Sequence, residues 1–351
     1  MASLRNSQPD RAVVGGALTA DRLARRVRAS WDAVTAHLPA TRAPRIRVAY
    51  SGGLDSTVLL HLLAAARAPS HISLALPSGG SLTALHVHHG LSPHADAWVR
   101  HCRAQCRALG VPFGARRAAV DRAPGTSLEE EARRVRYQLL QAPGVDVVAL
   151  AHHADDQAET VLLQLLRGAG PKGLAAMPTL RTPSTKGLRT MLLWRPLLDC
   201  SRRDLEAYAH QHQLIWIEDE SNGDIRIRRN FVRAEVMPLL ARGFGQPAVA
   251  LARTARHLAA AAQLADAIGD IDLMQARRAN ALDVAVLKAL DDVRLANALR
   301  RWIECQHLRA PSEARLHALM RALRQSDNGS RLTWRHDGQT VLRKRDLLVI
   351  A

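Results

Sequence analysis

The chain has 351 residues, 47% apolar and 23% charged, which suits two domains better than one and excludes a disordered tail or a single small module. No apolar run approaches the roughly 18 residues that cross a bilayer, and the N-terminal MASLRNSQPDRAVVGG lacks a hydrophobic signal core, so a cytoplasmic protein with no membrane partner is expected. A net charge of +17, from 49 Lys and Arg against 32 Asp and Glu, favours polyanionic partners, and four cysteines without Cys-x-x-Cys or zinc spacing exclude a disulfide scaffold.

In chain order, residues 1–18 are polar and unpatterned and read as a flexible extension. A helix is expected at 19–36, then strands at 46–50, 81–88, 112–120 and 145–151, alternating with helices at 55–67, 95–109, 127–141 and 155–167. A polar loop at 179–188, a strand at 191–194 and a helix at 202–213 close this region. Strands alternating with helices of ten or more residues imply βαβ units, hence an α/β fold: a parallel sheet with helices on both faces, Rossmann-like, over 19–240. An Ala-rich helix at 247–268 then leads into a smaller, mostly helical C-terminal domain within 245–351. That domain would hold helices at 291–307 and 312–324 and short strands at 331–335, 339–344 and 346–350.

The sharpest feature is Ser51-Gly52-Gly53-Leu54-Asp55-Ser56, placed between the first expected strand of the sheet and a helix. Two glycines let backbone approach phosphate closely, the helix N-terminus offers unpaired N–H groups, and two serines add hydroxyl donors. A carboxylate beside phosphates is repelled unless it shares a divalent cation with them, so Asp55 points to Mg2+. There is no Gly-Lys dipeptide, hence no Walker A loop, and Gly168-x-Gly170-x-x-Gly173 follows a helix rather than a strand, which rejects a dinucleotide site there.

Other strings cluster at expected strand ends. His86 and His88 share one strand face, with His89 on the other, and read better as crevice residues than as zinc ligands. Glu129 and Arg133 lie one helical turn apart, in the manner of a surface ion pair or of site residues. In His152-His153-Ala154-Asp155-Asp156-Gln157-Ala158-Glu159, Asp155 or Asp156 can cap a helix, but His153, Asp156 and Glu159 also converge at a second strand-to-helix turn that suits a cationic amine.

The Ser51–Ser56 loop resembles the PP-loop of the N-type ATP pyrophosphatases, which cleave ATP between its α- and β-phosphates. With Arg167-Gly168-x-Gly170, Arg195-Pro196-Leu197-Leu198, Glu218-Asp219-x-Ser221-Asn222 and Arg229-Asn230-x-x-Arg233, the stretch from Arg45 to Pro238 resembles the tRNA(Ile)-lysidine synthases. The resemblance implies a ligase that uses ATP and Mg2+ to join free L-lysine to carbon 2 of the wobble cytidine in the CAU-anticodon isoleucine tRNA. Under that resemblance Ser51, Gly52, Gly53, Leu54, Asp55 and Ser56 bind ATP and Asp55 holds Mg2+. Arg133 and His153 act at the adenylation centre, Asp156 and Glu159 hold lysine, and Arg195, Arg229, Asn230 and Arg233 lie toward the tRNA. Longer members carry a further domain, and this chain is expected to end near the first C-terminal one. Oligomeric state stays open, a homodimer among the options. A PP-loop tRNA thiolase and a non-enzymatic ATP-binding RNA chaperone are the alternatives.

Overall fold

A computed structural model describes residues 4–5, 20–39, 41–66, 80–88, 94–118, 128–141, 144–181, 191–327 and 332–351. The loop expected at 179–188 is described only to residue 181, and the positions 89–92 that follow His88 lie outside the described residues. The chain divides into two compact units, Met1–Ala255 and Arg256–Ala351.

In the first unit the order is β1 (Leu4–Arg5), α1 (Ala20–Thr35), β2 (Arg45–Ala49), α2 (Leu54–Ala65), β3 (Ser81–His88), α3 (Ala95–Ala108), β4 (Phe113–Arg117), α4 (Leu128–Leu140), β5 (Val147–Ala149) and α5 (Ala154–Leu165). There follow α6 (Pro171–Leu174), β6 (Leu180–Arg181), β7 (Leu192–Trp194), α7 (Arg202–Gln211), β8 (Trp216–Ile217), α8 (Arg228–Phe231), a π-turn at Val232–Val236 and α9 (Met237–Phe244). The main sheet runs β4-β3-β2-β5-β7-β6, parallel except for β6 at its edge. The chain therefore builds outward from β2 through β3 to β4, then returns to the other side of β2. This reversal opens a crevice at the carboxyl ends of β2 and β5.

Alternate strand residues face opposite sides of the sheet, and both sides are apolar. Ile46, Val48, Leu82, Ala84, Val147, Ala149, Leu192 and Trp194 pack with α1, α2, α3 and α7, whereas Leu85, Val148, Leu150, Met191 and Leu193 pack with Leu140 of α4. Helices thus cover both faces, as the alternation of strands and helices implies. Trp31 of α1 meets Trp194 with ring centroids 5.0 Å apart, and the Trp194 Nε1–H donates to Ser30 Oγ at 3.1 Å. The α2 helix is apolar on most sides because it is enclosed. The start of α7 is set by a capping box, in which Ser201 N donates to Asp204 Oδ2 (2.9 Å) and Asp204 N to Ser201 Oγ (3.2 Å).

Leu4 and Arg5, within the segment expected to be a loose extension, form a short strand antiparallel to β8. Two-residue strands such as these carry too little alternation to be visible in sequence, because pairing partners place them.

The second unit begins within α10 (Pro247–Ala276), eight residues longer than the Ala-rich stretch suggested, and continues through β9 (Arg277–Arg278), β10 (Ala281–Asp283), α11 (Val284–Ala289), α12 (Asp292–Cys305), α13 (Glu313–Gln325), β11 (Thr333–His336), β12 (Gln339–Lys344) and β13 (Leu347–Ile350). Its antiparallel sheet, β11-β12-β13-β10-β9, has two more strands than the three expected. Helices still predominate, and Leu295, Leu299, Trp302, Leu316, Leu319 and Leu323 form the core with Leu282, Val341 and Leu348 from the sheet. Asp337 and Gly338, both at positive φ, turn the β11–β12 hairpin in the Asp-Gly manner.

Candidate functional site

Ser51–Ser56 joins β2 to α2, and its backbone is held from within. Ser56 Oγ accepts from the N–H of Ser51 and of Gly52, both at 3.2 Å, and donates to Gly53 O at 3.1 Å. Ser56 is buried, so its hydroxyl braces the loop. Gly52 has φ +87°, and a Cβ there would lie 2.7 Å from Cys102 Sγ and 2.8 Å from Ile217 Cδ1, so no larger residue fits. Its carbonyl accepts from Ile217 N at 2.9 Å, which ties the loop to β8.

The turn between β5 and α5 stands beside it, since β2 and β5 are paired neighbours. His153, 1% exposed, lies among three carboxylates: Nε2 is 3.6 Å from Asp55 Oδ2 and 3.5 Å from Asp156 Oδ2, and Nδ1 is 3.3 Å from Asp155 Oδ2. Burial by itself lowers the imidazole pKa, but Asp156, Asp155 and Asp55 outweigh it and push it up to about 10. The backbone N–H of His153 donates to Asp156 Oδ2 at 3.0 Å, which starts α5, and Asp155 Oδ2 accepts from Arg202 N at 2.8 Å. Asp155, which sequence reasoning left as a helix cap, is thus part of the carboxylate set around His153.

Asp156 and Glu159 each meet two guanidinium groups. Arg229 Nε donates to Glu159 Oε2 (2.7 Å) and its Nη2 to Asp156 Oδ1 (3.0 Å). Arg233 Nε donates to Glu159 Oε1 (2.6 Å), and its Nη2 to Asp156 Oδ1 and Glu159 Oε2 (both 3.1 Å). Glu159 is 1% exposed, and the Asp156 carboxyl is held well below the usual range because its cationic neighbours, His153 and Arg229 foremost, outweigh the cost of burial. Residues expected to serve lysine and tRNA separately are therefore one ion cluster. The one-turn π-helix at Val232–Val236 contains Arg233, and such an insertion is a frequent companion of functional positions.

Two expected tRNA contacts face inward instead. Arg195 is 2% exposed and its Nη1 donates to Pro178 O at 2.8 Å, holding the strand-end loop, because its place just after β7 is enclosed. Asn230 Nδ2 donates to Asp224 O at 3.1 Å and braces the turn before α8. Arg133 lies on α4, with its side chain outside the described residues.

A cavity of about 650 Å³ opens over both turns, lined by Ser51, Gly53, Asp55 and Ser56, by His152 and Asp156, and by His86 and His88 at the end of β3. Trp98, Arg136, Asp219 and Glu220 also line it. Asp219 and Glu220 lie within the Glu218-to-Asn222 string singled out in the sequence, where they carried no role, and Trp98 and Arg136 were not assigned one. Asp55 Oδ1 is buried within this cavity wall without a hydrogen-bond partner, and an oxygen-only donor of this kind fits a hard divalent cation. No group of three or more His, Cys, Asp or Glu in a metal-holding arrangement occurs among the described residues.

A parallel sheet with a Gly-rich turn at its switch point and a second, charge-dense turn alongside defines a nucleotide-binding domain of the PP-loop class. The PP-loop domain family matches residues 23–240, and the TilS substrate binding domain matches 282–349. The chain is 48% identical to the tRNA(Ile)-lysidine synthase of Burkholderia pseudomallei over 86% of its own length and 60% of that protein. It is 43% identical to those of Chromobacterium violaceum and Pseudomonas putida, over 86% of this chain and 67% and 70% of theirs. The chain belongs to the tRNA(Ile)-lysidine synthase family. It spans about three fifths of the length of the Burkholderia relatives. Among solved structures, the U34-tRNA thiolase NcsA from Methanococcus maripaludis shares the fold, with a TM-score of 0.52, 17% identity, and coverage of 67% of this chain and 78% of that one.

Proposed function

We propose that this chain uses ATP to join L-lysine to carbon 2 of the wobble cytidine of the CAU-anticodon isoleucine tRNA, so that the anticodon reads AUA instead of AUG. The observation that carries the reading is the adjacency of two turns over one cavity: a PP-loop with a single carboxylate, and a turn holding His153, Asp156 and Glu159. The loop amides and the α2 N-terminus receive the ATP phosphates. Asp55 would hold Mg2+, which when bound offsets charge on the phosphates.

In the first step the cytidine O2 attacks the α-phosphorus and the bond to pyrophosphate breaks. In the second the lysine Nε attacks carbon 2, AMP leaves with the former O2, and the amine sheds its protons. His153, kept cationic by its carboxylates, stabilises negative charge where phosphate meets base, and the family resemblance assigns Arg133 of α4 to the same step. Asp156 and Glu159 receive the lysine ammonium. Two carboxylates paired with two guanidinium groups are already neutral, so an ammonium enters only when Arg229 or Arg233 turns away. Both side chains are partly exposed, at 25% and 33%, and RNA phosphate is the anion able to draw them off. Burial pushes the thiols of Cys102, Cys106 and Cys200, the cysteines of the first unit, up to about 12, so that unit offers no reactive thiolate of the kind a thiolase needs, and the exposed Cys305 belongs to the second unit.

The test is pyrophosphate release with purified chain, ATP, lysine and a transcript of the isoleucine tRNA, followed by mass spectrometry of the nucleosides. Lysine-modified cytidine that requires all three substrates is expected. Sulfur incorporation, or ATP binding without turnover, would overturn the reading.

A further inference from the structure

One strongly charged face has no part in the site just described. Along α3, Arg100, Arg103 and Arg107 are exposed and fall within one narrow arc of the helix, while Cys102 and Cys106 on the other side enter the core. Arg117, at the end of edge strand β4, continues the same face, because its Nη2 lies 3.4 Å from Asp96 Oδ1 in the first turn of α3. From Asp96 to Arg107 the helix rises roughly 16 Å at about 1.5 Å per residue. Asp96 is the sole acidic residue of α3.

The stripe is marked by three exposed arginines on one face of one helix without a carboxylate partner among the described residues. Several other surface arginines of the unit do meet carboxylates: Arg42 meets Asp146, Arg134 meets Glu131, Arg202 meets Glu206 and Arg226 meets Asp224. Among the described residues Arg100 and Arg107 have no such partner, and the Arg103 guanidinium lies over the Phe113 ring, 5.9 Å from its centroid. Three cations held along one face without internal neutralisation repel one another, a cost that an external polyanion removes. The stripe also leads to the cavity. Ala95 and Trp98, in the first turn of α3, line it, and Asp96 links Arg117 to His88 of the cavity wall, whose Nε2 is 3.4 Å from Asp96 Oδ1.

We propose that the face formed by Arg100, Arg103, Arg107 and Arg117 binds the phosphodiester backbone of the substrate RNA stem that flanks the nucleotide reacting in the cavity. This rests on the tRNA reading above. A stem cannot enter a cavity of about 650 Å³, so it must lie outside while an unstacked base enters. Phosphate contacts on α3 set the position of that stem without reading its sequence. Guanidinium groups spaced along a helix suit this task, since each releases counterions from a phosphate it meets.

The experiment compares the full chain with a triple variant, R100Q/R103Q/R107Q, and with R100K/R103K/R107K, using the CAU isoleucine tRNA transcript over a range of salt. The Gln variant is expected to bind about 10- to 100-fold more weakly near 0.1 M salt, with a slope of log K against log salt shallower by about 2 to 3. The Lys variant should stay within a few-fold of the parent, and the Kd for ATP should be unchanged in both. If the triple Gln variant unfolds, R100Q and R107Q singly should each reduce the slope by about 1. Unchanged slope and affinity in the Gln variants overturn the proposal, as does loss of binding to anionic lipid vesicles with tRNA binding intact. Parent protein that binds the tRNA but forms no modified cytidine would overturn the ligase reading alone, and the slope comparison would still decide this one.

Discussion

The turn after β2 and the turn after β5 stand at the carboxyl ends of paired strands and treat charge in opposite ways. Between Ser51 and Ser56 the single charged side chain is Asp55, and the loop is shaped by hydroxyl and amide groups, chiefly Ser56 Oγ. Between His152 and Glu159 there are two histidines and three carboxylates, two of which, Asp156 and Glu159, are neutralised by Arg229 and Arg233 from some 70 residues away. A loop that receives polyphosphate needs neutral donors and one place for a cation. Under the proposed reading, the second turn needs fixed carboxylates for an amine, and burying those requires counter-charges.

The contrast can be broken at either turn. The largest effect is expected at Asp55: D55N should lower ATP-dependent pyrophosphate release by about 10³-fold or more while thermal unfolding stays near the parent, since an amide holds Mg2+ poorly. Near-parent turnover would remove the metal role from Asp55.

Next comes the ion cluster. R229M leaves the buried Glu159 with one guanidinium partner instead of two, and should cost about 3 kcal/mol by denaturant titration. The double variant R229M/E159Q should recover part of that loss, and a double-mutant cycle measures the coupling. E159Q in the intact protein should raise the KM for lysine more than that for ATP. Equal effects on both would deny Glu159 a role specific to the amine.

A smaller loss, about 2 kcal/mol, is expected for G52A, because the added Cβ meets Cys102 Sγ and Ile217 Cδ1 at positive φ. Calorimetry with and without ATP checks it, and weaker ATP binding should accompany the lower Tm.

The smallest effect serves as a control far from both turns. Asp146, at the opposite end of β5, is held down to about 2 by hydrogen bonds from the Arg42 guanidinium and the Arg45 N–H, against the opposing effect of burial. A carboxylate depressed in the folded state contributes stability above its unfolded pKa near 3.8 and loses it as pH falls toward 2. D146N should therefore cost about 1 kcal/mol near neutral pH, where the half-exposed Arg42 weakens the pair. The difference should vanish near pH 2, with the KM for ATP unmoved throughout.

The strand and helix order of the first unit was legible because period-2 and period-3.6 patterns are local, and strand 81–88 coincides with β3. The hairpin β9–β10 was not, since Arg277–Arg278 and Ala281–Asp283 have little strand character of their own and lie together through pairing with β13. At the site, the Gly-rich turn and the acidic turn could be read from residue types alone. Arg195 could not: an arginine beside a proline gives no local sign that it will be 2% exposed.

Sequence by itself determined the α/β class, the position of the PP-loop, the clustering of His153, Asp156 and Glu159, and the family, because each depends on residues close together in the chain. Tertiary structure alone decided that Ser56 braces the loop, that Cys102 and Ile217 demand glycine at 52, and that Arg229 and Arg233 neutralise Asp156 and Glu159. The physical reason is range. Periodicity and turn chemistry act over a few residues, whereas the charge balance of a buried carboxylate depends on whichever cation the fold brings within about 3 Å, however distant in sequence.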